Sequence, residues 1–173
     1  MKKIFTFFVL VLCVHLGFSQ IAVESHVTEN KWRLGGGLGL NFGNNGYFSF
    51  NISPHVGYML APNLETGVSA GYQYGKSDFF KSNNFSFGPY ANYYIVSGLF
   101  ARAHYEYYTG NQENLTTNQK WNLDESALWL GAGYSTSGPI RFQAGILYNV
   151  LYDDGNSIFR SPIRPFSGIT ISL

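Results

Sequence analysis

The sequence predicts an all-β fold, eight antiparallel strands closed into an up-and-down barrel. Three observations point there. Apolar and polar residues alternate with a period of two in eight successive runs, which places the two sets on opposite faces of a strand. Charged residues are scarce, at 12% of 173 residues, while aromatic residues reach 18%, against roughly a quarter charged in an average soluble domain. The charges that do fall within the runs all share the glycine-rich polar phase.

The first run carries Trp32, Leu34, Leu38, Leu40 and Phe42 in one phase and Arg33, Gly35, Gly37, Gly39 and Asn41 in the other. Gly43-Asn44-Asn45-Gly46 marks a turn. The second run sets Phe48, Phe50, Ile52, Val56, Tyr58 and Leu60 against Ser49, Asn51, Ser53, His55 and Gly57. Ala61-Pro62-Asn63 closes a tight turn. The third sets Leu64, Val68, Ala70, Tyr72 and Tyr74 against Glu65, Gly67, Ser69, Gly71 and Gln73, and a polar loop is expected over 75–84.

The fourth run opposes Phe85, Phe87, Ala91, Tyr93 and Ile95 to Ser86, Gly88, Tyr90, Asn92 and Tyr94. After Val96-Ser97-Gly98 the fifth opposes Leu99, Ala101, Ala103, Tyr105 and Tyr107 to Arg102, His104 and Glu106. The longest loop is expected over 109–124. The sixth opposes Leu128, Leu130, Ala132 and Tyr134 to Ala127, Trp129, Gly131 and Gly133. After Ser135–Gly138 the seventh opposes Ile140, Phe142, Ala144, Ile146, Tyr148 and Val150 to Arg141, Gln143, Gly145 and Asn149. A loop over 152–161 precedes the eighth run, with Ile163, Ile169, Ile171 and Leu173 facing one way and Arg164, Phe166, Gly168, Thr170 and Ser172 the other. Pro54, Pro89 and Pro165 fall inside runs, where each removes a ladder donor, so bulges or rim positions are expected there.

Short turns at Pro62, Ser97 and Ser137 alternate with longer loops around Ser77, Leu115 and Gly155. An even strand number with short turns at one end and loops at the other is the layout of a transmembrane barrel. Strands of about ten tilted residues are long enough to cross a bilayer. The mean hydropathy of −0.06 fits, because alternating faces cancel in the average.

A leader is expected at 1–19. Lys2 and Lys3 form a basic start, Ile4 to Leu16 is apolar, and Gly17-Phe18-Ser19 offers small residues for cleavage before Gln20. The apolar run is shorter than the ~20 residues of a membrane-spanning helix. Residues 20–31 read as a short periplasmic lead-in and 32–173 as the barrel. Without the leader, nine Lys and Arg face ten Asp and Glu, so no basic field exists for nucleic acid. The single cysteine, Cys13, lies in the leader, which removes disulfides and thiolate chemistry from the expected mature chain. No cofactor or metal site is expected, since His26, His55 and His104 lack ligand spacing.

The C-terminal run Phe166-Ser167-Gly168-Ile169-Thr170-Ile171-Ser172-Leu173 resembles the assembly signal of outer-membrane barrels. Gly168, Ile171 and Leu173 match that pattern, whereas Phe166 stands where a polar residue is usual and Leu173 replaces the usual aromatic. The whole of 32–173 is similar in layout to small eight-stranded barrels of the OmpA/OmpX type, a porin-like family. The resemblance implies a place in the cell outer membrane. The implied partners are outer-membrane lipid, the barrel assembly machinery and a neighbouring outer-membrane protein. It implies nothing firm about activity.

Arg102, His104 and Glu106 share one face of one strand. A general acid/base or proton relay is one reading. The favoured reading is an ion-pair ladder filling the lumen, with Arg33, Glu65, Arg141 and Arg164 as cross-barrel partners, because a buried charge needs a counter-charge. Four Arg against two Glu leave some Arg to hydroxyls, carbonyls, water or an anion. Lipid A acyltransferases and deacylases also use small barrels, and the deacylases carry a His and a Ser two residues apart on one strand. Here Tyr105-Glu106 follows His104, and Ser53 precedes His55 in the reverse order. The expected function is therefore a non-enzymatic structural or interaction role, with an accessory subunit of a larger assembly as its sharpest form. A narrow pore and a lipid A-modifying enzyme are the alternatives. Phe42, Phe48, Tyr72, Tyr74, Phe85, Phe87, Tyr105, Tyr107 and Tyr148 read as an interfacial girdle, and Phe79, Phe80, Trp121 and Phe159 as loop aromatics. Asp153-Asp154-Gly155-Asn156 reads as an ordinary turn.

Overall fold

The computed structural model describes residues 31–173 apart from Ser97 and Arg160. The expected leader, its cleavage point and all but the last residue of the lead-in lie outside the described residues. Eight strands follow in order: β1 (Trp32–Phe42), β2 (Phe48–Ala61), β3 (Leu64–Lys76), β4 (Phe80–Val96), β5 (Leu99–Asn114), β6 (Lys120–Ser135), β7 (Ile140–Asn149) and β8 (Ile163–Ser172). Each pairs antiparallel with its neighbour in sequence, and β1 pairs with β8 to close the barrel.

The two phases fall as the alternation demands. Leu38 and Phe42 are 72% and 77% exposed on the outside, whereas Glu65 and Trp129 are wholly buried inside. The exterior is a continuous apolar coat, and exposed Val68, Leu130 and Ile146 lie on three different strands. The interior holds buried Arg33, Glu65, Asn92, His104, Glu106, Gln143 and Thr170, together with Tyr90, Phe100, Tyr108 and Leu147. Aromatic residues pair across neighbouring strands on the outside, Phe42 with Phe48, Tyr72 with Phe85, and Phe87 with Tyr107, at 5.5, 4.9 and 5.7 Å between ring centres.

Two expected loops prove mostly strand. β3 continues to Lys76 and β4 starts at Phe80, while β5 reaches Asn114 and β6 starts at Lys120. The pairing Asn83↔Asn111 and Asn111↔Asn122 shows why. Both faces are polar above the apolar coat, so alternation carries no signal there although the ladder continues. Phe80 and Trp121 accordingly sit in strands, and the β4–β5–β6 section stands taller than the rest of the rim.

The prolines also sit otherwise than expected. None makes a bulge. The register shifts lie at Met59/Ala61 and Tyr94/Val96, beside short turns. Around Pro54 the β2–β3 register runs unshifted from Ile52↔Tyr72 to His55↔Ser69, and around Pro89 the β4–β5 register runs from Phe87↔Tyr107 to Tyr90↔His104. Each of these prolines turns its missing donor toward an unbridged gap in an otherwise regular ladder. Pro165 is bridged to Ile146 on β7 but not to β1.

Candidate functional site: the barrel lumen

Period two directs every inward residue of a strand along one line, and the ladder registers decide which of these lines meet. At the short-turn end, Glu65 from the start of β3 accepts hydrogen bonds from Tyr90 and Tyr94 hydroxyls of β4 at 2.7 and 2.6 Å. Two short charge-assisted bonds suit a carboxylate with no access to water. No cation lies within ion-pair distance of Glu65 among the described residues. Arg33 donates from Nη1 to the Ser172 hydroxyl across the β1–β8 seam, and its Nε is buried without a partner. Arg141 stays at the rim, where its Nε donates to the carbonyl of Gly138 in its own turn at 3.1 Å.

Arg102 lies between aromatic faces. Its guanidinium carbon is 4.7 Å from the centre of the Phe166 ring, 5.3 Å from Tyr90 and 5.5 Å from Phe100. Its Nε donates to Asn92 Oδ1 at 2.7 Å and Nη2 to Gln143 Oε1 at 3.3 Å. It shares a strand face with Glu106 but makes no ion pair with it.

Glu106 belongs to the upper cluster. Arg164 Nη2 donates to its Oε2 at 2.7 Å, the Tyr108 hydroxyl donates to the same oxygen at 2.5 Å, and Arg164 Nη1 donates to the Tyr108 hydroxyl at 2.5 Å. The Arg164 guanidinium also stacks on Trp129 at 4.0 Å. Phe159 turns into the barrel mouth and packs edge-on against Tyr108 and Trp129. Of the seven charged or titratable residues singled out in the sequence, the structure brings Arg164, Glu106 and His104 together. It places Arg33, Glu65, Arg102 and Arg141 with neutral partners.

Two lumen contacts of the histidines lie outside the expected ladder. His104 Nε2 is 2.7 Å from Ser69 Oγ on β3, and His55 Nε2 is 3.1 Å from Thr170 Oγ1 on β8. Each contact spans an intervening strand, β4 in the first and β1 in the second, so spacing along one strand carries no trace of them. The Ser69–His104 contact has one element of nucleophilic catalysis, a hydroxyl at a histidine nitrogen. Glu106 Oε1 approaches that same Nε2 at 3.8 Å rather than the other ring nitrogen. A third group that orients a catalytic imidazole acts on the opposite nitrogen, so the carboxylate here competes with Ser69 for one atom.

A cavity of about 500 Å³ occupies the lumen beside these groups, bordered by His55, His104, Arg102 and the facing stretches of β1 and β8. Outside, the Asp153 turn is self-satisfied. Gly155 N–H and Asn156 Nδ2 donate to its two carboxylate oxygens at 3.1 and 2.9 Å, which holds the carboxyl below the usual carboxylate range. Gly168 and Ile171 lie in β8, Ile171 paired with Leu34 of β1, and the Leu173 N–H donates to the Trp32 carbonyl at 3.1 Å. No known family model matches the chain, and no curated protein matches it.

Proposed function

We propose that the chain is a non-enzymatic β-barrel of a Gram-negative outer membrane with a structural or interaction role, working as an accessory subunit of a larger assembly. The observation that carries the membrane part is the continuous apolar exterior around a polar, hydrogen-bonded interior. That inversion suits a closed barrel in lipid, where no sheet edge is left to solvate. The leader read from 1–19 and the terminal Gly168, Ile171 and Leu173 support the same location. The accessory role is supported by the outer face of β4 and β5, where Ala91 pairs with Ala103 and sets two small side chains side by side in the coat. Crowding of Glu65, Tyr90, Tyr94 and Phe100 at the short-turn end favours a filled lumen over a steady pore.

The test is a gentle-detergent pulldown of the tagged protein from isolated outer membranes, joined to crosslinking from Ala91 and Ala103. A stoichiometric protein partner crosslinked at those positions is the expected result. Lipid adducts alone with a clean monomer would remove the accessory role, and absence from the outer-membrane fraction would remove the location.

A second reading, an enzyme acting on lipid acyl groups, draws on the 2.7 Å Ser69–His104 contact. Mass spectrometry of lipid A from cells with and without the gene decides it, since an unchanged acyl pattern ends that reading.

A further inference from the structure

The barrel closes over a short ladder. β1 and β8 are bridged only from Arg33↔Ser172 to Gly36↔Ile169, although β1 continues to Phe42 and β8 begins at Ile163. By contrast the β3–β4 ladder runs unbroken from Leu64 to Lys76. The backbones still touch one position past the last rung, since a Cβ built on Gly37 would lie 2.7 Å from the Ser167 carbonyl oxygen and one built on Gly168 would lie 2.8 Å from the Gly36 carbonyl oxygen. Beyond Gly36↔Ile169 no further bridge joins the two strands among the described residues.

A cavity and a groove lie on the two sides of that stretch of wall. The lumen cavity of about 500 Å³ and a groove of about 520 Å³ on the outer face share Gly36, Leu38, Gln143, Ser167 and Gly168 as walls. The outer groove is floored by Leu38, Phe142 and Ile169, all exposed. On the inner side, Gln143 holds Nη2 of Arg102, and Phe166 of β8 lies under the guanidinium. The cation therefore sits just inside the unzipped part of the seam.

Arg102 is short of partners. A guanidinium carries five N–H donors. Among the described residues only Nε and Nη2 find acceptors, both on neutral amides, and no carboxylate comes within 4.0 Å. A partly buried cation that lines the lumen cavity between aromatic faces and neutral amides favours an anion, and the planar fork of a guanidinium matches a carboxylate.

We propose that the upper β1–β8 seam is a lateral portal, and that the ligand it admits is a fatty-acid carboxylate. The head is held at Arg102 in the lumen and the alkyl chain leaves between β1 and β8 over Leu38, Phe142 and Ile169. The polar inner end and the apolar outer groove match the two ends of one amphiphile. The proposal rests on the membrane location above for its source of ligand.

The experiment uses the full barrel, purified in neutral detergent and checked as folded by its heat-dependent gel mobility. Native mass spectrometry follows incubation with laurate, dodecanol or acetate. One laurate retained per barrel, with neither control retained, is expected. Arg102→Gln should weaken retention about tenfold, the size expected for losing a hydrogen bond to a charged group. Continuing the β1–β8 register brings Leu38 opposite Ser167. Leu38→Cys joined to Ser167→Cys should block laurate uptake when oxidised and restore it on reduction, which keeps the idea testable if Arg102→Gln fails to fold. No laurate retained, equal retention of dodecanol, or uptake unaffected by the closed seam would each overturn the portal. A barrel found in the outer-membrane fraction that holds no laurate sinks only the portal. A barrel missing from that fraction sinks the location instead.

Discussion

Arg164 and Glu106, on β8 and β5, meet through Nη2 and Oε2 at 2.7 Å inside the barrel, where the Glu106 side chain is 6% exposed and that of Arg164 31%. Arg164 retains a Trp129 face and some solvent when alone, whereas Glu106 has only Tyr108, Ser86 and His104, whose Nε2 is 3.8 Å away, to replace the cation. Arg164→Met should therefore destabilise the barrel by about 3 kcal/mol, the low end for breaking a buried pair. Adding Glu106→Gln to Arg164→Met should recover part of that loss. Urea titration of refolding in micelles reads both, and a double variant no more stable than the single one would contradict the account.

Val68 lies midway along β3 on the apolar coat and is 60% exposed. In water, Val68→Arg would be close to neutral. In a bilayer midplane it should cost about 2–4 kcal/mol. Refolding into vesicles compared with refolding into micelles separates the two, and equal stability in both would place the coat somewhere other than hydrocarbon.

Gly131 on β6 lies so near β7 that a Cβ there would come 2.0 Å from the Ile146 carbonyl oxygen and 2.8 Å from Leu147 Cα. These are backbone atoms and cannot swing aside. Gly131→Ala should lower the folded yield sharply, while Gly155→Ala, with its nearest atom at 3.7 Å, should stay within about 0.5 kcal/mol of the parent. The heat-shifted gel band measures the yields. Equal yields would mean that the β6–β7 ladder can widen.

The Asp153 carboxyl is held below its ordinary range by the Asn156 amide and the Gly155 N–H. Because its folded value lies below the unfolded one, the turn's contribution is complete above the ordinary carboxylate range and is lost as pH falls through the lowered value. The Gly155 amide resonance, followed by NMR during acidification, should move only below that range, and Asp153→Asn should abolish the transition. Movement centred at the ordinary value would mean that the two hydrogen bonds do not form in solution.

Strand order and facing were legible because alternation in the apolar coat is physically enforced. A one-residue slip would put Leu38 inside and Arg33 outside. Above the coat nothing enforces it, so Asn83, Asn111 and Asn122 read as loop although they are ladder. Lumen charges were legible as inward-facing, but not their partners. Glu65 is satisfied by Tyr90 and Tyr94, which come from the next strand through register rather than spacing. Arg164 reaches Glu106 across 58 positions of chain, a distance that no motif encodes. Phe100, Tyr108 and Leu147 blur the inner phase because an interior this narrow takes apolar bulk as readily as polar.

The four closing rungs between Arg33–Gly36 and Ile169–Ser172 join segments at opposite ends of the described chain. Every other seam joins neighbours through a turn or loop and can zip locally. This one must wait for an end-to-end encounter, whose entropic cost rises with the length enclosed. Closure is then the natural last event of folding, and few rungs reward it. A population with seven seams formed and one open is the expected late intermediate, and substitutions at Leu34 or Ile171 should lengthen its lifetime while leaving the earlier hairpins untouched.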